Sequence, residues 1–182
     1  MANCKEVLFY EPEDPNGYLS NFAACPIRVG DDVWATSEHY YQAMKFNCEK
    51  LRQQIYMANS PAEAFALSRD FDEHVREDWY EIRVDVMRFI VTEKFKQNPC
   101  FALFLINTGD SVIKEHSHKD SFWGDGGDGT GQNHLGKILM SVRSQLNDQP
   151  VCLKPLDTHG QRDFLSVPLL FSRPRESFKV HH

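Results

Sequence analysis

The chain has 182 residues, a formal net charge of −6 and a pI near 5.7. Its 41% hydrophobic and 25% charged residues are the composition of a soluble globular domain large enough for one core. Acidic balance excludes bulk electrostatic holding of nucleic acid, though not a local basic pocket for one phosphate. No apolar run nears the roughly 20 residues that cross a bilayer.

Residues 7–10 are a short apolar run and the first predicted strand. Pro12, Pro15 and Gly17 make the next segment a loop. Its end, Tyr18-Leu19-Ser20-Asn21-Phe22, either tucks under itself or lines a pocket. Alternation on both sides of Gly30-Asp31-Asp32 predicts a small hairpin. Thr36 or Ser37 then caps a helix running to about residue 47, with Glu38 in the first turn, where a negative charge is favoured. A short helix over 51–58 follows. Ser60-Pro61-Ala62-Glu63 joins a capping box to a proline at the first helical position and starts a helix to about residue 69.

The longest periodic segment, 78–97, carries an apolar stripe of Trp79, Ile82, Val86, Phe89, Ile90 and Val91, and Asn98-Pro99 ends it. Asn98 also caps a helix over 100–107, whose run FALFLI is apolar all round and is expected to be buried. Gly109 closes that helix. Residues 112–116 form a short strand, and Leu135, Ile138, Leu139, Val142 and Leu146 mark a last amphipathic helix. Beyond it, Pro150, Pro155, Pro168 and Pro174 without any period predict an extended or partly disordered tail. The organisation expected is one domain over 1–148 and a proline-containing tail over 149–182. The terminal His181 and His182, which have the form of a truncated purification tag, are given no site role.

Five cysteines, Cys4, Cys25, Cys48, Cys100 and Cys152, are scattered without a CxxC pair. Their odd number and the absence of a signal peptide predict reduced thiols in a cytoplasmic protein, serving as small buried hydrophobes.

The stretch most plainly shaped for a ligand is 121–140, SFWGDGGDGTGQNHLGKILM. Gly124, Gly126, Gly127, Gly129 and Gly131 surround Asp125 and Asp128, Trp123 stands in front, and a helix opens behind. Glycines let the main chain approach a ligand closely or close over it, and the helix start offers unpaired N–H groups to an anion. Known loop grammars fail. Gln132 and Asn133 follow Gly131 where a P-loop has lysine and a hydroxyl residue. Asp125 and Asp128 lack the alternating oxygens and terminal Glu of an EF-hand, and one copy is too few for Ca²⁺-binding repeats. A solvated flexible loop is the plain alternative. Trp123 tells against it, because a large aromatic needs something to pack on.

Elsewhere the plain readings are Glu38 as a helix-dipole carboxylate, Trp79 as core, Arg69 on the last carbonyls of its helix, and Lys45 as a surface charge. No Ser-His-Asp order, zinc spacing or nucleophilic-cysteine signature is present. The residues alone describe a domain with a pocket for a phosphorylated or aromatic ligand, and no reaction class.

Several blocks in combination go further. Gly17-Tyr18-Leu19-Ser20-Asn21-Phe22, Trp34-Ala35-Thr36-Ser37-Glu38-His39-Tyr40-Tyr41-Gln42-Ala43-Met44-Lys45-Phe46, Ser68-Arg69-Asp70, Trp79 and Phe122-Trp123-Gly124-Asp125-Gly126-Gly127 through Gly131-Gln132-Asn133-His134-Leu135-Gly136 resemble the NADAR, or YbiA-like, family. They fall in that family's order, with Ser68 where the family usually has glycine. The resemblance implies a mainly α fold: a single YbiA-like orthogonal helical domain with a small antiparallel β element near the N-terminus. It implies an N-glycosidase, a hydrolase acting on N-glycosyl bonds, with no cofactor, no metal and no membrane association.

Some family members are similar to enzymes that hydrolyse the ribosylamine bond of riboflavin-pathway ribosylaminopyrimidine 5′-phosphates. Others remove ADP-ribose from guanine in nucleic acid or nucleosides, which would link the protein to an ADP-ribosyltransferase toxin. On this carry-over Glu38 is the catalytic carboxylate near ribose C1′, and Asp125 binds the ribose hydroxyls or protonates the departing base. Trp79, Trp123 or Phe22 stacks on the base and Asn21 reads its edge. Arg69 and Lys45, with Gly124, Gly126 and Asn133 of the loop, complete the substrate contacts. The rival from another class is a non-catalytic module that binds NAD or ADP-ribose.

Overall fold

The computed structural model describes residues 5–148, which lie in the first of the chain's two units, residues 1–151. The tail expected over 149–182, with His181 and His182, falls outside the described residues. Among the described residues six α-helices and four short strands follow one another: β1 (Glu6–Phe9), β2 (Ile27–Val29), β3 (Asp32–Trp34), α1 (Ser37–Ala43), α2 (Glu49–Tyr56), α3 (Pro61–Asp70), α4 (Trp79–Gln97), α5 (Pro99–Ile106), β4 (Val112–Glu115) and α6 (His134–Asp148). No helix among them is long and apolar enough to cross a membrane.

The helix starts follow local chemistry. Thr36 Oγ1 accepts from the His39 N–H, and Ser60 Oγ from the Glu63 N–H. The expected capping box slips by one residue: Glu63 Oε2 turns back to the Asn59 N–H at 2.6 Å rather than to Ser60. Each such cap is worth about 1 kcal/mol. Helix α1 stops at Ala43, short of residue 47, because the next N–H groups tighten onto i−3 carbonyls (Lys45 to Gln42, Phe46 to Ala43). That turn swings Phe46 to full burial, where its ring contributes roughly 2 kcal/mol or more.

Strands β2 and β3 pair antiparallel from Ile27↔Trp34 to Val29↔Asp32. β1 does not join them. It pairs in parallel with β4, in the register Glu6↔Val112 to Phe9↔Glu115, and a parallel pair needs a long crossover. Here helices α1 to α5 form that crossover. The main core gathers Phe9, Ile27, Tyr41 and the inner faces of α4, α5 and α6, including Phe95, Leu105 and Leu139. A smaller cluster of Trp34, Ala43, Phe46, Ile55 and Ala64 joins α1 to α2 and α3. Helix α1 thus has a foot in both.

Three expectations are corrected. Helix α5 is not buried all round: Ala102 and Leu105 face the core, while Leu103 is 38% and Phe104 52% exposed. Eight residues lying on one side of a domain can bury only one face. Asn98 does not cap α5; its amide donates to the Lys94 carbonyl at the end of α4. Of the cysteines described, Cys25 is buried but Cys48 and Cys100 are exposed, Cys48 just before α2 and Cys100 in the first turn of α5.

Candidate active site

Helix periodicity sets one wall of a cavity of about 680 Å³. Glu38, Tyr41, Gln42 and Lys45 recur at the spacing that shares a helix face, although α1 itself ends two residues before Lys45. Phe65 and Arg69 come from α3, and Trp79, Arg83 and Met87 from α4. Glu115 enters from the end of β4, Asp120 and Trp123 from the loop after it, and Asn21 and Phe22 from the loop before β2.

Glu38 is 6% exposed. Burial pushes its pKa up to about 7, against the hydrogen bond from Gln42 and the charge of Lys45, which both pull it down. Gln42 Nε2 donates to Glu38 Oε1 at 2.6 Å, and Gln42 Oε1 in turn accepts from Ser68 Oγ at 2.6 Å. Ser68, where a glycine would have been usual for the resemblance, therefore fixes the amide that orients Glu38. Lys45 Nζ also reaches Ser68 Oγ, at 3.4 Å, and its pKa is lowered by burial although Glu38 and Asp72 oppose that. The Glu38 main chain is pinned as well: its N–H donates to the Asn21 carbonyl. Asn21 is itself clamped, its Oδ1 accepting from Ser37 Oγ at 3.0 Å and its Nδ2 donating to Met87 Sδ.

Aromatic walls stand beside these groups. The ring of Tyr41 lies 5.1 Å from Trp79 and 5.6 Å, edge-on, from Trp123. Arg83, which the sequence reading passed over, lays its guanidinium 3.6 Å from the Phe122 ring centroid. Two buried side-chain polar atoms among the described residues lack any hydrogen-bond partner, Arg83 Nε and Glu115 Oε2. Both residues line this cavity. Unpaired buried polar atoms are costly in a finished core, and here both belong to residues of the cavity wall.

Glu115 is the principal residue that sequence reasoning missed. Burial, then the negative charges of Asp120, Glu38 and Asp125, push its pKa up to about 8. Its signal lay in the strand. Ile113 is fully buried, and in a strand the residue two further on shares its face, so Glu115 had to point inward.

The loop residues divide. Asn21, Phe22, Glu38, Lys45, Arg69, Trp79 and Trp123 all line the cavity, whereas Gly124, Asp125, Gly126 and Asn133 do not. Asp125 is 4% exposed and its two oxygens are taken, Oδ2 by His116 Nδ1 at 3.0 Å and Oδ1 by the Gly127 N–H at 2.8 Å. Burial raises its pKa, but the bonds from His116 and Gly127 outweigh that and leave it lowered. These bonds hold it in its ionised form, and it is not part of the cavity wall.

The expected anion site at the start of α6 is not open either. The N–H groups of Asn133, His134 and Leu135 donate to the carbonyls of Gly124, Phe122 and Trp123. The glycines serve the same internal fit. A Cβ on Gly131 would lie 2.5 Å from the Asp125 carbonyl carbon, and one on Gly136 would collide with the Ile113 carbonyl oxygen. No group of three or more His, Cys, Asp or Glu side chains among the described residues could hold a metal ion.

The NADAR domain model matches residues 8–147. The chain belongs to the NADAR family. That NADAR match spans every cavity residue named above. Over 138 residues the chain is 43% identical to N-glycosidase YbiA of Escherichia coli, covering 76% of this chain and 86% of that protein. It is 54% identical over 142 residues to riboflavin biosynthesis protein VVA0006 of Vibrio vulnificus, covering 78% of this chain but 39% of that longer protein. Among solved structures, the NMR structure of E. coli YbiA superposes with a TM-score of 0.74 at 37% identity, over 90% of this chain and 94% of that one.

Proposed function

We infer that this NADAR chain is an N-glycosidase that hydrolyses the bond between ribose C1′ and a nitrogen of a ribosylated base. The observation that carries the reading is Glu38: a buried carboxyl with a raised pKa, oriented by Gln42, in a cavity walled by aromatics and cations. Breaking a ribosyl–nitrogen bond passes through an oxocarbenium-like state, which a carboxylate at C1′ stabilises while it takes a proton from the attacking water. Glu38 fills that place. Trp79 and Trp123 offer faces for the base, and Asn21 presents its amide beside them. Lys45, Arg69 and Arg83 supply the positive charge for a 5′-phosphate within an otherwise acidic protein. Asp125 acts one step back, by holding the loop that carries Trp123.

The substrate favoured is a ribosylaminopyrimidine 5′-phosphate, which joins the E. coli relative's name, an N-glycosidase, to the Vibrio relative's, a riboflavin biosynthesis protein. A second reading, ADP-ribosylated guanine, is favoured by the cavity mouth. Phe65 and Tyr80 are 40% and 75% exposed there, beside Arg69 and Arg83, as a second base and a diphosphate would require. The deciding experiment incubates the protein separately with ribosylaminopyrimidine 5′-phosphate and with a guanine-ADP-ribosylated oligonucleotide. Release of ribose 5-phosphate or of ADP-ribose is followed. Turnover of neither, with tight binding of ADP-ribose, would instead make the chain a non-catalytic NAD or ADP-ribose module.

A further inference from the structure

One carboxyl in the cavity has no task in that reaction. Glu115 sits at the end of β4 with its main chain locked from both sides: its N–H donates to Asn133 Oδ1 at 3.2 Å, and its carbonyl accepts from the Asp125 N–H at 2.8 Å. The main chain therefore fixes the direction in which the side chain leaves β4, and Glu115 lines the cavity. Its Oε2 is shut off from solvent and meets no donor in the protein. The charges that act on it are those of Asp120 and Asp125 from the following loop and of Glu38 from α1, while Lys45, Arg83 and Lys119 line the same cavity. Burial, and then these acidic neighbours, keep the group protonated up to about pH 8.

We propose that Glu115 is the general acid of the reaction, passing its carboxyl proton to the nitrogen that leaves ribose C1′. The proposal rests on the N-glycosidase reading. Water adds its oxygen to C1′ as the C1′–N bond breaks. The electron pair of that bond goes to nitrogen, which takes the Glu115 proton, while Glu38 takes one proton from the water. Ribose leaves with a C1′ hydroxyl and the base with an N–H; solvent then returns the proton from Glu38 to Glu115. Two carboxyls brought to one cavity from different elements, Glu38 from α1 and Glu115 from β4, are the pair of groups such a displacement needs. Asp125 cannot fill this place, because both its oxygens are bonded beneath the loop.

The test uses the full chain and the kcat/KM–pH profile, which reports the free protein's groups, on ribosylaminopyrimidine 5′-phosphate and on ADP-ribosylated guanine. The wild type is expected to gain activity as Glu38 ionises near pH 7 and to lose it as Glu115 ionises near pH 8. Glu115→Gln is expected to lower kcat about 100-fold or more, to hold KM within about threefold, and to abolish the alkaline fall. A Glu115→Gln protein with wild-type kcat, or with the alkaline fall intact, overturns the assignment alone. Wild-type protein inactive on both substrates overturns the function reading and the assignment together. Should the variant fail to fold, the wild-type profile decides: the absence of any fall through about pH 8 overturns the proposal.

Discussion

Glu38 and Asp125 look alike in the sequence, each an acidic residue inside a dense motif, and the structure gives them opposite characters. Glu38 is desolvated with one modest partner, so it stays close to neutrality in pKa. Asp125 is desolvated but paired twice, so it stays charged. Substitutions should separate them. Glu38→Gln keeps the shape, and kcat is expected to fall about 100-fold or more while the melting temperature holds; steady-state kinetics beside a thermal melt would show it, and near-normal kcat would remove Glu38 from the chemistry. Asp125→Ala should instead unfold more easily, by about 1–2 kcal/mol in a urea titration, because the half-buried His116 ring nitrogen and Gly127 N–H lose their acceptor. A variant that kept full stability and lost only activity would return Asp125 to the reacting centre.

At the level of elements, the glycine-rich loop is a fitted piece whose own main chain takes up its glycines and its helix-start N–H groups. Gly136→Ala is expected to cost about 1–3 kcal/mol or more, since the new methyl meets the Ile113 carbonyl and the Asn133 side chain. Chemical denaturation would measure it, and an unchanged midpoint would show that α6 and β4 can part to admit the methyl. Helix starts were legible because caps are local: Thr36 and Ser60 act on N–H groups three residues away. The rotation of α5 was not legible, because FALFLI has no polar face to orient it and tertiary contact alone chose Ala102 and Leu105 for the interior. The β1–β4 pairing was hidden for a different reason. Nothing within Glu6–Phe9 names a partner that lies beyond five helices.

Across the whole molecule, the cavity stores ionisation cost that shows as a pH dependence of stability. Glu115 has an ordinary pKa of 4.5, raised to about 8 when folded. Between those values the folded chain binds more protons than the unfolded one, so the stability it contributes is full at the acid end and is lost as pH rises through about 8. Lys94, buried with its Nζ donating to the Ser20 carbonyl at 2.7 Å, works the other way. Burial lowers its pKa from 10.5 to about 7, so its contribution is lost as pH falls. His39, lowered by burial, acts in the same sense as Lys94 at lower pH. A difference measurement isolates Glu115. The melting temperature of Glu115→Gln minus that of the wild type is expected to rise between about pH 5 and pH 8.5, and a flat difference would show that the carboxyl is not strained by folding.

The sequence by itself determined the helical segments, the caps at Thr36 and Ser60, the family blocks and part of the cavity wall. These rest on short-range physics: period, capping and turn chemistry act within a few residues. Only the tertiary structure decided which charged groups share a space. The raised pKa of Glu38 and of Glu115, the unpaired Arg83 Nε and the withdrawal of Asp125 all arise from burial and from neighbours distant in the chain. Desolvation belongs to the assembled cavity, and no stretch of residues carries it alone.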